Sequence, residues 1–282
     1  MDKITIVTDS TADLPREAAK EFGIEVVPLS VQFPTGTFRD GVDLRADRFY
    51  PMLKESEVLP TTSQPPAGEF VKVFKQAVER GASVIAILIS SKLSGTYQAA
   101  VLAKSALEGA DIEILDSANV TGGLGLQVLA AAEAARSGRA REEVLQLIKG
   151  LRKRVETLIT LDTLEYLHKG GRIGAVAAFI GALVNLKPML KVQDGVLVPV
   201  ARMRSHTQAL NRYIELMSEK IGKSGRVRAI VMHGHALEYA MRLKEEIVKN
   251  FTCVEEPPIV ETGAVLGTHT GPGAYGVAFY GV

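Results

Sequence analysis

The sequence predicts an α/β protein: an N-terminal domain with a mostly parallel sheet flanked by helices, then a C-terminal α+β domain with a mixed sheet. Three observations predict it. The first half alternates short apolar, β-branched runs such as Val84-Ile85-Ala86-Ile87-Leu88-Ile89 with amphipathic stretches, the order that builds a parallel sheet. The second half carries Asp194-Gly195 between Lys191 and Val198, a hairpin turn foreign to a purely parallel sheet. The 282 residues are enough for two ordinary domains, which we expect at 1–154 and 155–282.

Taken in order, Ile4 to Thr8 reads as a strand and a short helix starts near Pro15. Val26 to Phe33 reads as one further strand. Asp40 to Asp47 is a polar loop, followed by a helix through Phe49, Met52 and Leu53. Pro60-Thr61-Thr62-Ser63-Gln64-Pro65-Pro66 reads as the start of a helix with Phe70, Val73, Phe74 and Ala77 on its apolar stripe. After the Val84–Ile89 strand, the helix from Gln98 has Ala99, Leu102, Ala103 and Ala106 at i, i+3, i+4 and i+7. Ile112 to Leu115 is a strand and Gly122 to Ala135 an alanine-rich helix. In the second half, strands are expected at Leu158–Leu161, around the hairpin, at Arg228–Met232, near Cys253 and Ile259, and at Gly276–Tyr280. Helices carry Leu210 to Met217 and Leu237 to Val248.

Composition excludes several function classes. Hydrophobic residues are 46% and charged residues 23%, ordinary for a soluble globular chain. A formal net charge of +1 leaves no broad basic footprint for nucleic acid. The single cysteine, Cys253, excludes an internal disulfide and a cysteine-rich zinc site, which fits a cytoplasmic setting. The longest uncharged run, Ile173 to Leu186, is shorter than the roughly 20 residues that span a membrane. His233-Gly234-His235 is a weak metal pattern, and no metal or cofactor is expected.

Chemistry-bearing residues fall in a few stretches, most with a structural and a functional reading. Ser91-Lys92-Leu93-Ser94-Gly95-Thr96-Tyr97 lies between a strand and a helix, where Ser94 either caps the helix or joins free N–H groups in an anion site. Thr61-Thr62-Ser63 is either a cap or a second set of hydroxyls converging on the same anion. His269-Thr270-Gly271-Pro272-Gly273 puts a protonatable ring in a tight turn, and a lone histidine is often structural. Lys169-Gly170-Gly171-Arg172 either ends a helix with favourable cations or holds an anion, and is not a Walker loop. Asp9 and Asp13 flank Ser10-Thr11 at the end of a strand, where turn chemistry and an active-site acid fit equally. The surroundings of Ser94 lack the glycines of a nucleophile elbow. Ile173 to Leu186 reads as a buried core helix or as one wall of a long apolar cavity.

Together, Thr8-Asp9-Ser10-Thr11-Ala12-Asp13-Leu14, Thr61-Thr62-Ser63-Gln64-Pro65, Ser90-Ser91-Lys92-Leu93-Ser94-Gly95-Thr96-Tyr97, Tyr166-Leu167-His168-Lys169-Gly170-Gly171-Arg172-Ile173 and His269-Thr270-Gly271-Pro272-Gly273 resemble, in that order, the DegV family. The resemblance implies a two-domain protein without catalysis of its own that binds one long-chain fatty acid, carboxylate at the domain junction and tail in the C-terminal domain. It implies presentation of that carboxylate to a separate ATP-dependent fatty acid kinase catalytic subunit, which makes the acyl-phosphate. By resemblance, Thr62, Ser94, Gly95 and His269 hold the carboxylate. Asp9, Thr61, Arg172 and Arg204, with Arg202 beside it, are implied head-group or partner contacts. Ile173, Phe179, Ile180 and Leu183 are the expected cavity wall. The rival reading is an independent small-molecule transferase or hydrolase using Asp9, Ser94 and His269.

Overall fold

The computed structural model describes residues 3–179 and 186–282. Lys3–Asp9 (β1) runs into a 3-10 turn at Ser10–Ala12, then Arg16–Glu21 (α1). Glu25–Val27 (β2), Ser30–Phe33 (β3), Gly36–Arg39 (β4), Ala46–Glu55 (α2) and Thr61–Ser63 (β5) follow. Ala67–Glu79 (α3), Ala82–Leu88 (β6), Thr96–Ser105 (α4), Ile112–Asp116 (β7), Gly122–Arg136 (α5) and Arg141–Arg154 (α6) complete the first half. The second half holds Glu156–Thr160 (β8), Glu165–Lys169 (α7), Lys187–Gln193 (β9), Val196–Met203 (β10), His206–Ile221 (α8), Arg226–Gly234 (β11) and Leu237–Asn250 (α9). Thr252–Cys253 (β12), Ile259–Glu261 (β13), Ala264–Thr270 (α10) and Ala274–Gly281 (β14) close it.

The first sheet is parallel throughout, in the order β2-β1-β6-β7. Every residue of β6 is buried, as an unbroken apolar run between two helical layers requires. The second sheet has the order β10-β9-β8-β14-β11-β12, with β13 also on β11. It is mixed: β12 and β13 run parallel to β11, and the other pairs are antiparallel. Asp194 and Gly195 both hold positive φ, the geometry the β9–β10 turn needs. A small antiparallel sheet, β4-β3-β5, stands beside them.

The helix that is apolar all round is α5. Glu133, Ala135 and Arg136 aside, all of its residues are buried. Its glycines permit contact on both sides: a Cβ on Gly122 would stand 2.6 Å from Met232 Sδ, and one on Gly125 2.8 Å from the Ala12 carbonyl. One helix thereby joins the cores of both sheets.

Several elements differ from the sequence expectations. Val26–Phe33 is two strands in different sheets, because Pro28 lacks the N–H a continuing ladder needs. Thr61–Ser63 is a strand on β3, not a helix start, and the helix begins at Ala67 after Pro66. On α4 the buried face is Thr96, Ala99, Ala100 and Ala103, and Leu102 is 56% exposed. The small side chains let α4 pack closely, which turns the longer Leu102 outward. A buried helix over Ile173–Leu186 is not what the described part shows. Gly174–Phe179 is a 3-10 turn with Val176 buried and Ala175, Ala177 and Ala178 exposed. Ile180 and Leu183 lie outside the described residues.

Candidate functional site

The end of β6 and the short strand β5 deliver hydroxyls to one place. After Ile89, the N–H groups of Leu93 and Ser94 both donate to the Ser90 carbonyl, a turn that sets Ser94 just before α4. Ser90 Oγ donates to the Gly195 carbonyl at 2.7 Å, tying this turn to the β9–β10 hairpin. Ser94 Oγ lies 2.9 Å from Thr96 Oγ1. Thr62, opposite Val31 in the β3–β5 ladder, places its hydroxyl 2.8 Å from His269 Nε2.

His269 comes from the last turn of α10. Leu266, His269 and Thr270 stand three and four residues apart, which puts them on one helical face. The ring's Nδ1 is buried without a partner among the described residues and abuts Gly170, where any Cβ would collide with it. Burial, with the Arg172 cation nearby, lowers the His269 pKa to about 4. The ring is therefore neutral at neutral pH. Nε2 and the Thr62 hydroxyl share one hydrogen bond, and the ring's tautomer sets which of them donates.

Arg172 completes the cluster. Its Nη1 donates to the Gly170 carbonyl at 3.0 Å and its Nε to the Leu93 carbonyl at 3.4 Å, bridging the histidine side to the serine side. Thr62, Ser94, Arg172 and His269 line a single cavity of about 340 Å³. The rest of its lining is largely apolar and includes Leu29, Ile89, Val120, Ile159, Met232 and Leu266. Burial of hydrocarbon with a few convergent polar groups is the usual form of a small-molecule site.

The other sequence candidates are distributed as follows. Gly95 lies outside that cavity and lines the adjoining surface groove with Ser91, Lys92, Ser94, Gly171 and Arg172. Its missing Cβ makes room for the Gln64 side chain, which lines the cavity. Thr61 is exposed and donates to Gln32 Oε1 at 2.9 Å, on the other side of β5 from Thr62. Arg204 is exposed near the start of α8, its N–H donating to Gln208 Oε1 at 2.8 Å. Neither lines the cavity. Ile173 packs against the core beside Arg172 rather than lining the cavity. Phe179 ends the 3-10 turn.

Asp9 is fully buried but belongs elsewhere. Its Oδ1 accepts from the Thr11 N–H and hydroxyl at 3.0 and 2.5 Å, and its Oδ2 from the Ile89 N–H at 2.8 Å. It lines a second, acidic cavity with Asp13, Asp40 and Glu261. Burial raises the pKa of all three aspartates, Asp13 to about 8 and Asp40 to about 6. Asp13 accepts from the Gly263 N–H at 2.9 Å and Asp40 from the Ala264 N–H at 2.8 Å, so both hold the start of α10. Among the described residues, no group of three or more His, Cys, Asp or Glu is arranged to hold a metal ion. Sequence reasoning missed Gln64, Thr121 and Thr262 in the lining. The dependence of Gly95 on Gln64 leaves no mark in the linear chain.

The family model described as "Uncharacterised protein, DegV family" matches residues 3–282. A DegV domain-containing protein of Halalkalibacterium halodurans is 39% identical over 281 residues, covering 99% of both chains. Among solved structures, a fatty-acid-binding DegV family protein of Thermus thermophilus is 35% identical with a TM-score of 0.94, covering 99% of this chain and 100% of that one. DegV of Bacillus subtilis, a fatty acid binding protein, is 34% identical with a TM-score of 0.88, and each chain is covered in full.

Proposed function

The chain belongs to the DegV family, and on that premise we propose that it binds one long-chain fatty acid, carboxylate beside Thr62, Ser94, Arg172 and His269, tail along the apolar wall. The observation that carries this reading is one cavity with a contiguous polar cluster and an otherwise mostly apolar lining. A sixteen-carbon tail transfers roughly 0.8 kcal/mol per methylene, on the order of 12 kcal/mol at most, so the tail dominates affinity. The carboxylate still has to be paired or hydrogen-bonded. With His269 neutral, Arg172 supplies the compensating charge, while the hydroxyls of Thr62 and Ser94 orient the oxygens.

The groove that Gly95, Ser94 and Arg172 line beside the cavity supports a second step, in which one carboxylate oxygen is presented to a partner. We assign that partner as the ATP-dependent catalytic subunit of a fatty acid kinase, meeting this face in the cytoplasm, with Arg172 and Arg204 as contacts. Thr62 and Ser94 come from 1–154 and Arg172 and His269 from 155–282, which supports a head group held between the two halves. A self-sufficient hydrolase using Asp9, Ser94 and His269 has less support. Both Asp9 oxygens accept bonds from Thr11 and Ile89, and His269 Nδ1 meets Gly170 where an orienting acid would stand.

Organic extraction of the purified protein followed by mass spectrometry tests the binding. One fatty acid per chain is expected, and its absence with no binding of added fatty acid overturns the reading. Acyl-phosphate formation on mixing with a fatty acid kinase catalytic subunit and ATP tests the presentation step separately.

A further inference from the structure

A wall built only for hydrocarbon needs no hydroxyls, because a hydroxyl facing an apolar cavity is costly unless it is partnered. Outside the cluster around Arg172, the cavity is nevertheless lined by Thr121 and Thr262, both buried. They are stitched together from behind. Thr121 Oγ1 donates to Asp13 Oδ2 at 2.7 Å, and Asp13 Oδ1 accepts from the N–H of Gly263, the residue after Thr262. Thr262 Oγ1 pairs with the Tyr50 hydroxyl at 2.8 Å and reaches the His233 carbonyl at 3.3 Å. Asp13 and Tyr50 stand outside the lining, so the threonines form the wall and the acid and phenol support it.

The backbone agrees. Thr121 holds φ 47 and ψ −137, a strained conformation for a β-branched residue. It is fixed there by its N–H bond to the Thr11 carbonyl at 2.8 Å and by the bond to Asp13. A threonine hydroxyl carries one hydrogen and two lone pairs, so its bonds to the protein leave it capacity for a further polar partner. Two such hydroxyls in one cavity wall, linked behind it through Asp13 and Gly263, suit an O–H group and offer little to a methylene. Resting on the reading of this cavity as a fatty-acid site, we infer that it accepts acyl chains carrying a hydroxyl group along the chain, with Thr121 and Thr262 receiving that hydroxyl. A plain chain still fits, because the protein itself satisfies both threonines.

The test is the affinity of the full chain for stearic acid and for a positional series of monohydroxystearic acids. One isomer, or two adjacent ones, should bind at least about tenfold more tightly than the rest, which bury an unpaired hydroxyl. In Thr262→Val and Thr121→Val the advantage of that isomer over the others should fall below about threefold, and in Thr121→Ser it should persist. If Thr121→Val does not fold, Thr262→Val and Thr121→Ser decide. A uniform loss across the series, or an isomer preference that survives Thr262→Val, overturns the inference while stearic acid still binds. Failure of stearic acid and of every isomer to bind overturns the fatty-acid reading itself.

Discussion

The two ends of α10 meet two buried polar clusters that use their hydrogen-bonding groups in opposite ways. At the N-terminal end, Asp13 and Asp40 take the N–H groups of Gly263 and Ala264, and Asp9 takes those of Thr11 and Ile89. Every one of those bonds stays inside the protein. At the C-terminal end, His269 pairs with the Thr62 hydroxyl beside Ser94 and the Arg172 cation, and these groups face the cavity. The acid cluster lines an acidic cavity but commits its carboxylates to the protein's own N–H and hydroxyl groups, whereas the hydroxyl cluster faces a mostly apolar cavity beside an arginine cation. Buried polar groups alone do not mark a site. Polar groups that face an apolar space beside a cation do.

The comparison breaks most directly at Asp40. Asp40→Ala orphans the buried Ala264 N–H and should lower stability by about 2 kcal/mol, read as a shifted urea midpoint with unchanged slope. Ser94→Ala probes the other end. Fatty-acid dissociation constants should rise about tenfold, or about 1.4 kcal/mol, while the urea midpoint stays within roughly 0.5 kcal/mol of the parent. If Ser94→Ala instead unfolds the protein and leaves binding intact, the two clusters do not differ in kind.

A pH series sharpens the contrast. Asp13 is raised to about 8, so between about 4 and 8 the folded state holds a proton the unfolded state has released, and stability falls as pH rises through that window. From pH 7 to 9 this amounts to about 1 kcal/mol, measured by thermal or urea unfolding. Asp13→Asn, which keeps an acceptor for Gly263 and cannot titrate, should flatten the decline. His269 runs the other way. Its folded pKa of about 4 lies below the ordinary histidine value, so its contribution grows as pH rises from about 4 to 6.5. The smallest expected effect is at Gly95→Ala, where the flexible Gln64 side chain must shift. Fatty-acid release should quicken about threefold, with stability changed by less than ~1 kcal/mol.

Local pattern made the fold class legible. The apolar run of β6 and the Asp194-Gly195 turn each predict their own element and the sheet type that follows. Thr62, Ser94, Arg172 and His269 were legible as candidates because hydroxyls and cations beside glycines stand out between regular elements. Their meeting was not derivable from spacing, since Thr62 and His269 are 207 residues apart. The same limit hid the acid cluster, whose bonds to α10 span 250 and 224 residues. Thr61–Ser63 misled because its prolines resemble a helix start, while the pairing that makes it a strand comes from β3. The helix expected over Gly122 to Ala135 is present, whereas the buried-helix reading of Ile173–Leu186 fails over its described part for a related reason. Both stretches are rich in small apolar residues, and only tertiary contact distinguishes a helix between two sheets from the 3-10 turn at Gly174–Phe179.

The position of β14 bears on how the molecule comes into being. It lies between β8 and β11, both of which precede it in sequence, so the middle of the second sheet is filled by a strand made after its neighbours. During vectorial synthesis β8 and β11 must wait with their ladder edges open, a slow, long-range closure of the kind that leaves nascent strands prone to mispairing. His269 arrives in the same late stretch, only five residues before the first of the strand. A ribosome-bound chain stalled before that stretch lacks both the keystone of the sheet and the ring that orients Thr62. Closure of the second sheet and completion of the cavity wall, to which Ala274, Tyr275 and Gly276 contribute beside His269, therefore share one late step.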